Sequence, residues 1–175
     1  MTFGFVGIGR RPGPGSSPLP GLFFAMVHLG EPQVRQQVFQ RIAAIKPEAP
    51  PLWGRMTAHQ MVCHLSDSFR LVLGEKPVAS SAHRNLLMKW AALYLPFPWP
   101  KGVPTRPEVE QGVGGTPPGD FQRDREALVA LLERFSDPNH TTPRTPHPIF
   151  GQLTEREWLR WGYLHTNHHL RQFGL

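Results

Sequence analysis

The chain has 175 residues, enough for one domain with a buried core, and its hydrophobic fraction of 39% is typical of a globular protein. The formal net charge of +6 comes from scattered basic residues, which argues against specific nucleic-acid binding. The longest apolar run near the N-terminus, Leu22 to Leu29, spans about eight residues, far short of the roughly 20 that cross a membrane.

The first part of the chain is poor in core-forming residues. Residues 1–25 have no periodic apolar pattern, and Gly and Pro are frequent in them. We interpret this stretch as a disordered leader, or as the result of a mis-assigned start with Met26 as the natural first residue. The folded domain is therefore predicted to cover residues 26–175.

Segments with helical periodicity alternate with Pro-rich segments over the rest of the chain. Two helix starts are marked by capping boxes, in which a threonine and a Glu or Gln three residues later cap each other. The predicted helices cover residues 31–46, 57–74, 82–95, 120–136 and, from the Thr154 cap, the stretch to about 173. This pattern predicts an all-α fold, a four-helix bundle with Pro/Gly-rich crossover loops and an extra helix in the crossover.

The crossover from Pro96 to Gly119 is too rich in Pro and Gly for a helix or a central strand. Phe97 and Trp99 favour an ordered segment that lies against the bundle over a pocket mouth. A plain tether between helices is the alternative interpretation.

Histidines are concentrated in the last predicted helix. His165 and His169 are four residues apart, so they project from consecutive turns toward one point, and the second helix offers His64 on an otherwise apolar face. A bundle interior rarely holds several imidazoles unless something satisfies them. His168, three residues after His165, is the alternative to His169 as a ligand. We interpret His140 and His147 as surface or loop groups.

The ligand set of His64, His165 and His169 predicts a divalent-cation site with an open position for water or substrate. Zn and Ni suit three neutral imidazoles best, and Fe, Co and Mn are further candidates. Four side chains are predicted to orient the ligands from outside the first coordination sphere: His168, Gln60, Asp67 and Gln172.

The sequence motifs of other common catalytic sites are absent. The sequence has no Gly-x-Ser-x-Gly elbow, no P-loop and no His-Glu-x-x-His motif. Cys63 is the single cysteine, which excludes an internal disulfide and predicts a reducing, cytoplasmic location. We interpret Cys63 itself as a small buried group rather than a nucleophile.

The histidine pattern resembles the DinB-like superfamily of metalloenzymes. The resemblance rests on His64 within Met61 to Leu65 and on His-x-x-His-His-x-Arg-Gln from His165 to Gln172. The segments 53–58 and 98–105 look like its uncharacterised domain-of-unknown-function branch. The resemblance implies a four-helix bundle, a three-histidine site for a divalent cation and a homodimer.

Some members of the superfamily transfer or rearrange substrates with low-molecular-weight thiols. The leading hypothesis is therefore a metal-dependent enzyme, a thiol-dependent transferase or a hydrolase, that acts on a small molecule. A non-catalytic metal- or ligand-binding bundle is the second hypothesis. A DNA-associated stress protein is a distant third, and no membrane partner is expected.

Overall fold

The computed structural model describes residues 26–77, 85–139 and 144–175, and the predicted leader at 1–25 lies outside these ranges. Within them the chain forms five α-helices and no strand, which confirms the all-helical prediction. The helices are α1 (Pro32–Ala43), α2 (Ala58–Val72), α3 (Leu86–Tyr94), α4 (Phe121–Phe135) and α5 (Glu155–Gln172), with a 3₁₀ turn at Pro107–Val109. None of these helices is both long and apolar enough to span a bilayer.

Local capping decides where the helices begin. Thr57 and Thr154 each accept a hydrogen bond from the third residue of the helix, whose side chain in turn accepts from the threonine N–H, so both predicted capping boxes are confirmed. α1 ends at Ala43, three residues before the predicted Lys46, because Pro47 disfavours helical geometry in the residue before it. α3 begins after an Asn85 cap, and the predicted residues 82–84 lie outside the described ranges.

α2 is the central element, since all but three of its residues are buried. It packs along α4 and also touches α5 and the 3₁₀ turn, while α1 contacts α4 and α5 and α3 contacts α5. Rings of Phe69, Phe135 and Trp161 meet edge to face in the core where α2, α4 and α5 join. Gly162 allows this approach, because a Cβ there would lie 2.6 Å from a ring carbon of Phe135.

The crossover lies against the helices, as predicted. The Trp99 indole N–H donates to the Ala92 carbonyl at 2.8 Å, which holds the ring beside α5. Further along, the backbone N–H and the hydroxyl of Thr116 both bind the buried carboxylate of Asp67 on α2, at 2.6 and 2.7 Å. The crossover therefore lies against α3 and α5 at Trp99 and against α2 at Thr116.

Candidate metal centre

Three imidazoles from two helices converge in the interior. His64 lies in the middle of α2, and His165 and His169 lie on consecutive turns of α5. One nitrogen from each ring lies within 4.8 Å of the other two. The Nε2 atoms of His64 and His165 face each other at 3.3 Å. The predicted spacing of four on α5 thus places both of its rings against His64.

A backbone carbonyl orients the His64 ring. Nδ1 of His64 lies 3.0 Å from the carbonyl oxygen of Val109, in the 3₁₀ turn of the crossover. A carbonyl only accepts, so Nδ1 carries the proton and donates it. Nε2 is therefore unprotonated in the neutral ring, and its lone pair points toward the other two imidazoles.

The side-chain amide of Gln172 orients the His169 ring in the same way, by accepting from Nδ1. Nδ1 of His169 lies 3.0 Å from Oε1 of Gln172, and Nε2 of Gln172 donates to the Trp53 carbonyl at 2.7 Å. The second bond settles which end of the amide faces the imidazole, so Nδ1 of His169 donates and its Nε2 is left unprotonated. Gly54 makes room for this arrangement: its φ is +80°, and a Cβ there would lie 2.6 Å from the Gln172 nitrogen.

His165 completes the cluster between aromatic rings. Its ring stacks on Trp99 at a centroid distance of 6.0 Å and lies 5.0 Å from the ring of Trp161. Its Nδ1 is buried and has no hydrogen-bond partner in the part of the chain that the structure describes. Of the three residues it alone is partly rather than fully buried.

The electrostatic environment keeps all three rings neutral near pH 7. Burial lowers the pKa of His64, lowers that of His165 well below its ordinary value, and lowers that of His169 to about 3. Mutual repulsion between the imidazolium forms adds to the effect of burial for His165 and His169. Neutral imidazoles with inward lone pairs are the form in which histidine binds a metal ion.

The cluster fits a divalent transition-metal ion. Two nitrogens at about 2.0–2.1 Å from a tetrahedral Zn²⁺ are separated by about 3.3 Å, and the His64–His165 pair already has this spacing. Three protein ligands leave one coordination position for water or substrate. Without a cation the His64–His165 contact is a hydrogen bond, in which Nε2–H of His165 donates to Nε2 of His64, and a bound ion would take the place of that proton.

His168 lies beside the cluster rather than in it. Its ring centroid is 5.1 Å from that of His169, but its other neighbours are Trp53 at 5.9 Å and Trp99 at 6.3 Å. The group of converging nitrogens contains His169 and not His168. His168 therefore lies on the aromatic rim of the site, and its pKa is lowered by burial and by the charge of Arg171.

Of the other predicted orienting residues, only Gln172 contacts a ring of the cluster. The amide oxygen of Gln60 accepts from the backbone N–H of Thr57 at 2.9 Å, because Gln60 is the third residue of α2 and belongs to its capping box. Asp67 lies one turn after His64, and its carboxylate binds Thr116 and Lys76 instead. Gln60 is thus engaged in a local helix cap, and Asp67 in a longer-range contact that residue spacing does not reveal.

His147 lies in the loop before α5 and outside the converging group, as predicted, but it is buried rather than on the surface. Its Nδ1 accepts hydrogen bonds from the backbone N–H groups of Ile149 and Phe150, and its ring stacks on Phe150 at 4.2 Å. Burial lowers its pKa to about 3. His140 lies outside the described residues. In the sequence, the three-residue spacing between His147 and Phe150 is the feature from which a turn that buries both rings could have been predicted.

Fold and site together define an all-helical protein with a buried, neutral cluster of three imidazoles. The chain belongs to the family described as "Protein of unknown function (DUF1569)", whose profile matches residues 85–174, just over half of the sequence. The matched range contains His165, His169 and Gln172, and His64 lies before it. The chain matches none of the curated proteins and none of the solved structures.

Proposed function

We propose that the protein is a metal-dependent enzyme in which His64, His165 and His169 bind a divalent cation, Zn²⁺ or Ni²⁺ in the first place. The observation that carries the proposal is the arrangement of three neutral imidazoles whose nitrogens lie within 4.8 Å of one another. Hydrogen bonds to Val109 and Gln172 support it, because they direct the lone pairs of two rings inward.

The proposed architecture is a DinB-like four-helix bundle. The mutual contacts among α1, α2, α4 and α5 support it, with α3 as an additional helix against α5. Bundles of this kind build metal sites from inward side chains of facing helices, and here the facing helices are α2 and α5.

The proposed reaction class is a thiol-dependent transfer or a hydrolysis on a small molecule. A cation held by His64, His165 and His169 would supply a water molecule of lowered pKa, polarise a carbonyl or hold a thiolate. The residues of the chain then have distinct tasks. Val109 and Gln172 hold two rings in place, Trp99 covers one face of His165, and His165, the least buried of the three residues, marks the proposed side of approach.

A non-catalytic binding protein is the second candidate, and one observation favours it. His64 and His169 are only 4% and 8% exposed, and Trp99 lies over the third ring. Two surface clefts lie elsewhere, one between α1 and α4 and the other near Gly30 and Pro138. A tightly covered ion is more typical of a structural site than of a catalytic one.

Metal analysis of untagged protein tests the proposed site. We expect His64→Ala and His165→Ala each to lose one equivalent of bound zinc relative to the wild type. His168→Ala is the matched control, because it removes an imidazole of the same helix that lies outside the converging group, and it should keep the full content. Equal zinc in wild type and both ligand variants would refute the site.

Turnover then separates the enzyme from the binder. The zinc-loaded protein is screened for conjugation of low-molecular-weight thiols to small electrophiles and for hydrolysis of small esters and amides. Activity that disappears in His165→Ala supports the enzyme. Full zinc occupancy with no turnover in the screen supports the non-catalytic binding protein.

A further inference from the structure

A second group of potential metal ligands lies where α2 packs on α4. His59 and Cys63 are one helical turn apart on α2, and Asp124 is in the first turn of α4. One ligand atom from each lies within 4.8 Å of the other two. Cys63 and His64 are neighbours in sequence, but successive helical residues point about 100° apart. The two clusters therefore lie on different faces of α2.

The contacts of this group converge on a single oxygen atom, Oδ2 of Asp124. It lies 2.7 Å from Nε2 of His59 and 3.7 Å from Sγ of Cys63, and it accepts the backbone N–H of Gly119 at 3.0 Å. The Phe121 ring meets the His59 ring edge to face at 5.2 Å and limits its rotation. The three side chains are thus held toward one point before any ligand arrives.

Burial within the group is graded, which gives an ion a path inward. Cys63 is 3% exposed and forms the inner end of the group. The side chains of His59 and Asp124 keep 17% and 27% exposure and form the outer end. An ion can therefore meet the imidazole and the carboxylate at the surface and reach the sulfur with little movement of the helices.

The distances suit a tetrahedral ion after a small adjustment. With Zn–S of about 2.3 Å and Zn–O of about 2.0 Å, a bound sulfur and oxygen lie about 3.5 Å apart. The observed distance from Sγ of Cys63 to Oδ2 of Asp124 is 3.7 Å. The nitrogen and oxygen of His59 and Asp124, now 2.7 Å apart in a hydrogen bond, would separate by about 0.6 Å to reach tetrahedral spacing.

We propose that His59, Cys63 and Asp124 form a second metal site, for Zn²⁺ or Co²⁺, that ties α2 to α4. An imidazole, a thiolate and a carboxylate are all ligands that Zn²⁺ and Co²⁺ accept, and water fills the fourth position. On binding, the Cys63 thiol gives its proton to solvent and the sulfur forms the bond to the metal. A thiolate, a carboxylate and a divalent cation sum to zero charge, which favours a partly buried site.

The proposal is independent of the three-histidine centre. The first cluster joins α2 to α5 with nitrogen ligands alone, and the second joins the imidazole and sulfur of α2 to a carboxylate of α4. Without metal, the second group is a hydrogen-bonded link between helices, in which burial and the neighbouring Asp124 carboxylate raise the pKa of Cys63 to about 12.

Cobalt substitution tests the second site directly. Cys63 is the single cysteine of the chain, so a thiolate-to-cobalt charge-transfer band in the near ultraviolet can report on no other residue. We expect untagged protein titrated with Co²⁺ to show this band, complete by two equivalents per chain because the three-histidine centre can take the other ion. It should remain in His165→Ala, which removes a ligand of the first centre only.

The variants Cys63→Ser, His59→Gln and Asp124→Asn should lose the band while circular dichroism shows unchanged helix content. The wild-type titration needs no variant to fold: no thiolate band at excess Co²⁺ would overturn the proposal. A band that survives in both His59→Gln and Asp124→Asn would also overturn it, because the sulfur would then bind without its proposed partners. Loss of the band in His165→Ala would assign Cys63 to the first centre and overturn the second site as well.

Discussion

Single hydrogen bonds decide which ring nitrogen carries the proton in two of the three clustered histidines, His64 and His169. A neutral imidazole has one N–H and one lone pair, so the partner of one nitrogen determines what the other can do. Val109 and Gln172 each accept a hydrogen bond from Nδ1, and as a result Nε2 of His64 and His169 keeps the lone pair that a metal ion would need. His165 has no such partner at Nδ1 among the described residues, which makes it the least restrained of the three.

At the residue scale we predict that Gln172→Met weakens metal binding. Methionine keeps the length of the side chain but accepts no strong hydrogen bond, so the His169 ring loses the group that orients it. Loss of such a partner typically costs about 10- to 100-fold in metal affinity. Isothermal titration with Zn²⁺ in a Cys63→Ser background measures this change at the three-histidine centre alone.

Two further variants show whether the effect comes from orientation. Gln36→Met places the same change on an exposed position of α1 and should leave the affinity unchanged. Gln172→Glu can still accept from His169 but cannot donate to the Trp53 carbonyl, so it should recover most of the affinity. Wild-type affinity in Gln172→Met would contradict the orienting role.

At the scale of elements, α2 joins the other parts of the chain. Asp67 in its middle is fully buried and binds Thr116 of the crossover, Lys76 beyond the helix and Arg70 one turn later. Burial alone would raise the pKa of Asp67, but the hydrogen bonds from Thr116 and the ion pair with Lys76 outweigh it, so the pKa lies below its ordinary value of 3.8. The carboxylate thus fastens the crossover to the helix that carries His64.

We predict that Asp67→Asn lowers the free energy of unfolding by roughly 2–4 kcal/mol at pH 7, because it removes the buried charge that Thr116 and Lys76 satisfy. Since folding lowers this pKa, the ionised group stabilises the native state above pH 3.8, and that contribution is lost as the pH falls through the folded pKa. Urea unfolding at several pH values measures both effects.

The stability difference between wild type and Asp67→Asn should therefore shrink as the pH falls below 3.8. Asp137→Asn is the control, since Asp137 is exposed beyond the end of α4, and it should stay within about 0.5 kcal/mol of wild type. A difference that stays constant from pH 7 to pH 3 would show that the buried charge is not its source.

At the scale of the whole molecule, both candidate metal sites bridge α2 to another helix. A ligand that binds the native state but not the unfolded chain stabilises the fold by mass action. The protein should therefore respond to metal as one cooperative unit, although each site occupies only a small part of it.

We predict that Zn²⁺ at 100 times its dissociation constant stabilises the Cys63→Ser protein by about 2.7 kcal/mol, because the three-histidine centre exists only in the folded chain. Differential scanning calorimetry with and without Zn²⁺ measures the rise in Tm, and a chelator should reverse it. The His165→Ala variant in the same Cys63→Ser background should have the same Tm with and without Zn²⁺. A zinc-dependent rise that persists in this double variant would place the stabilising ion elsewhere.

The sequence by itself determined the helices and much of the cluster. Capping boxes, proline positions and apolar periodicity act within a few residues, so they located α2 and α5, and the spacing of four on α5 paired His165 with His169. The tertiary structure alone decided which groups meet across the chain. Val109 contributes only a backbone carbonyl, which no side-chain pattern reveals. Asp67 binds Thr116, which is 49 residues away in the sequence. Asp124 likewise reaches Cys63 and His59 only because α4 packs on α2. Such contacts depend on how helices pack over long stretches of chain, and local rules of spacing carry no information about that packing.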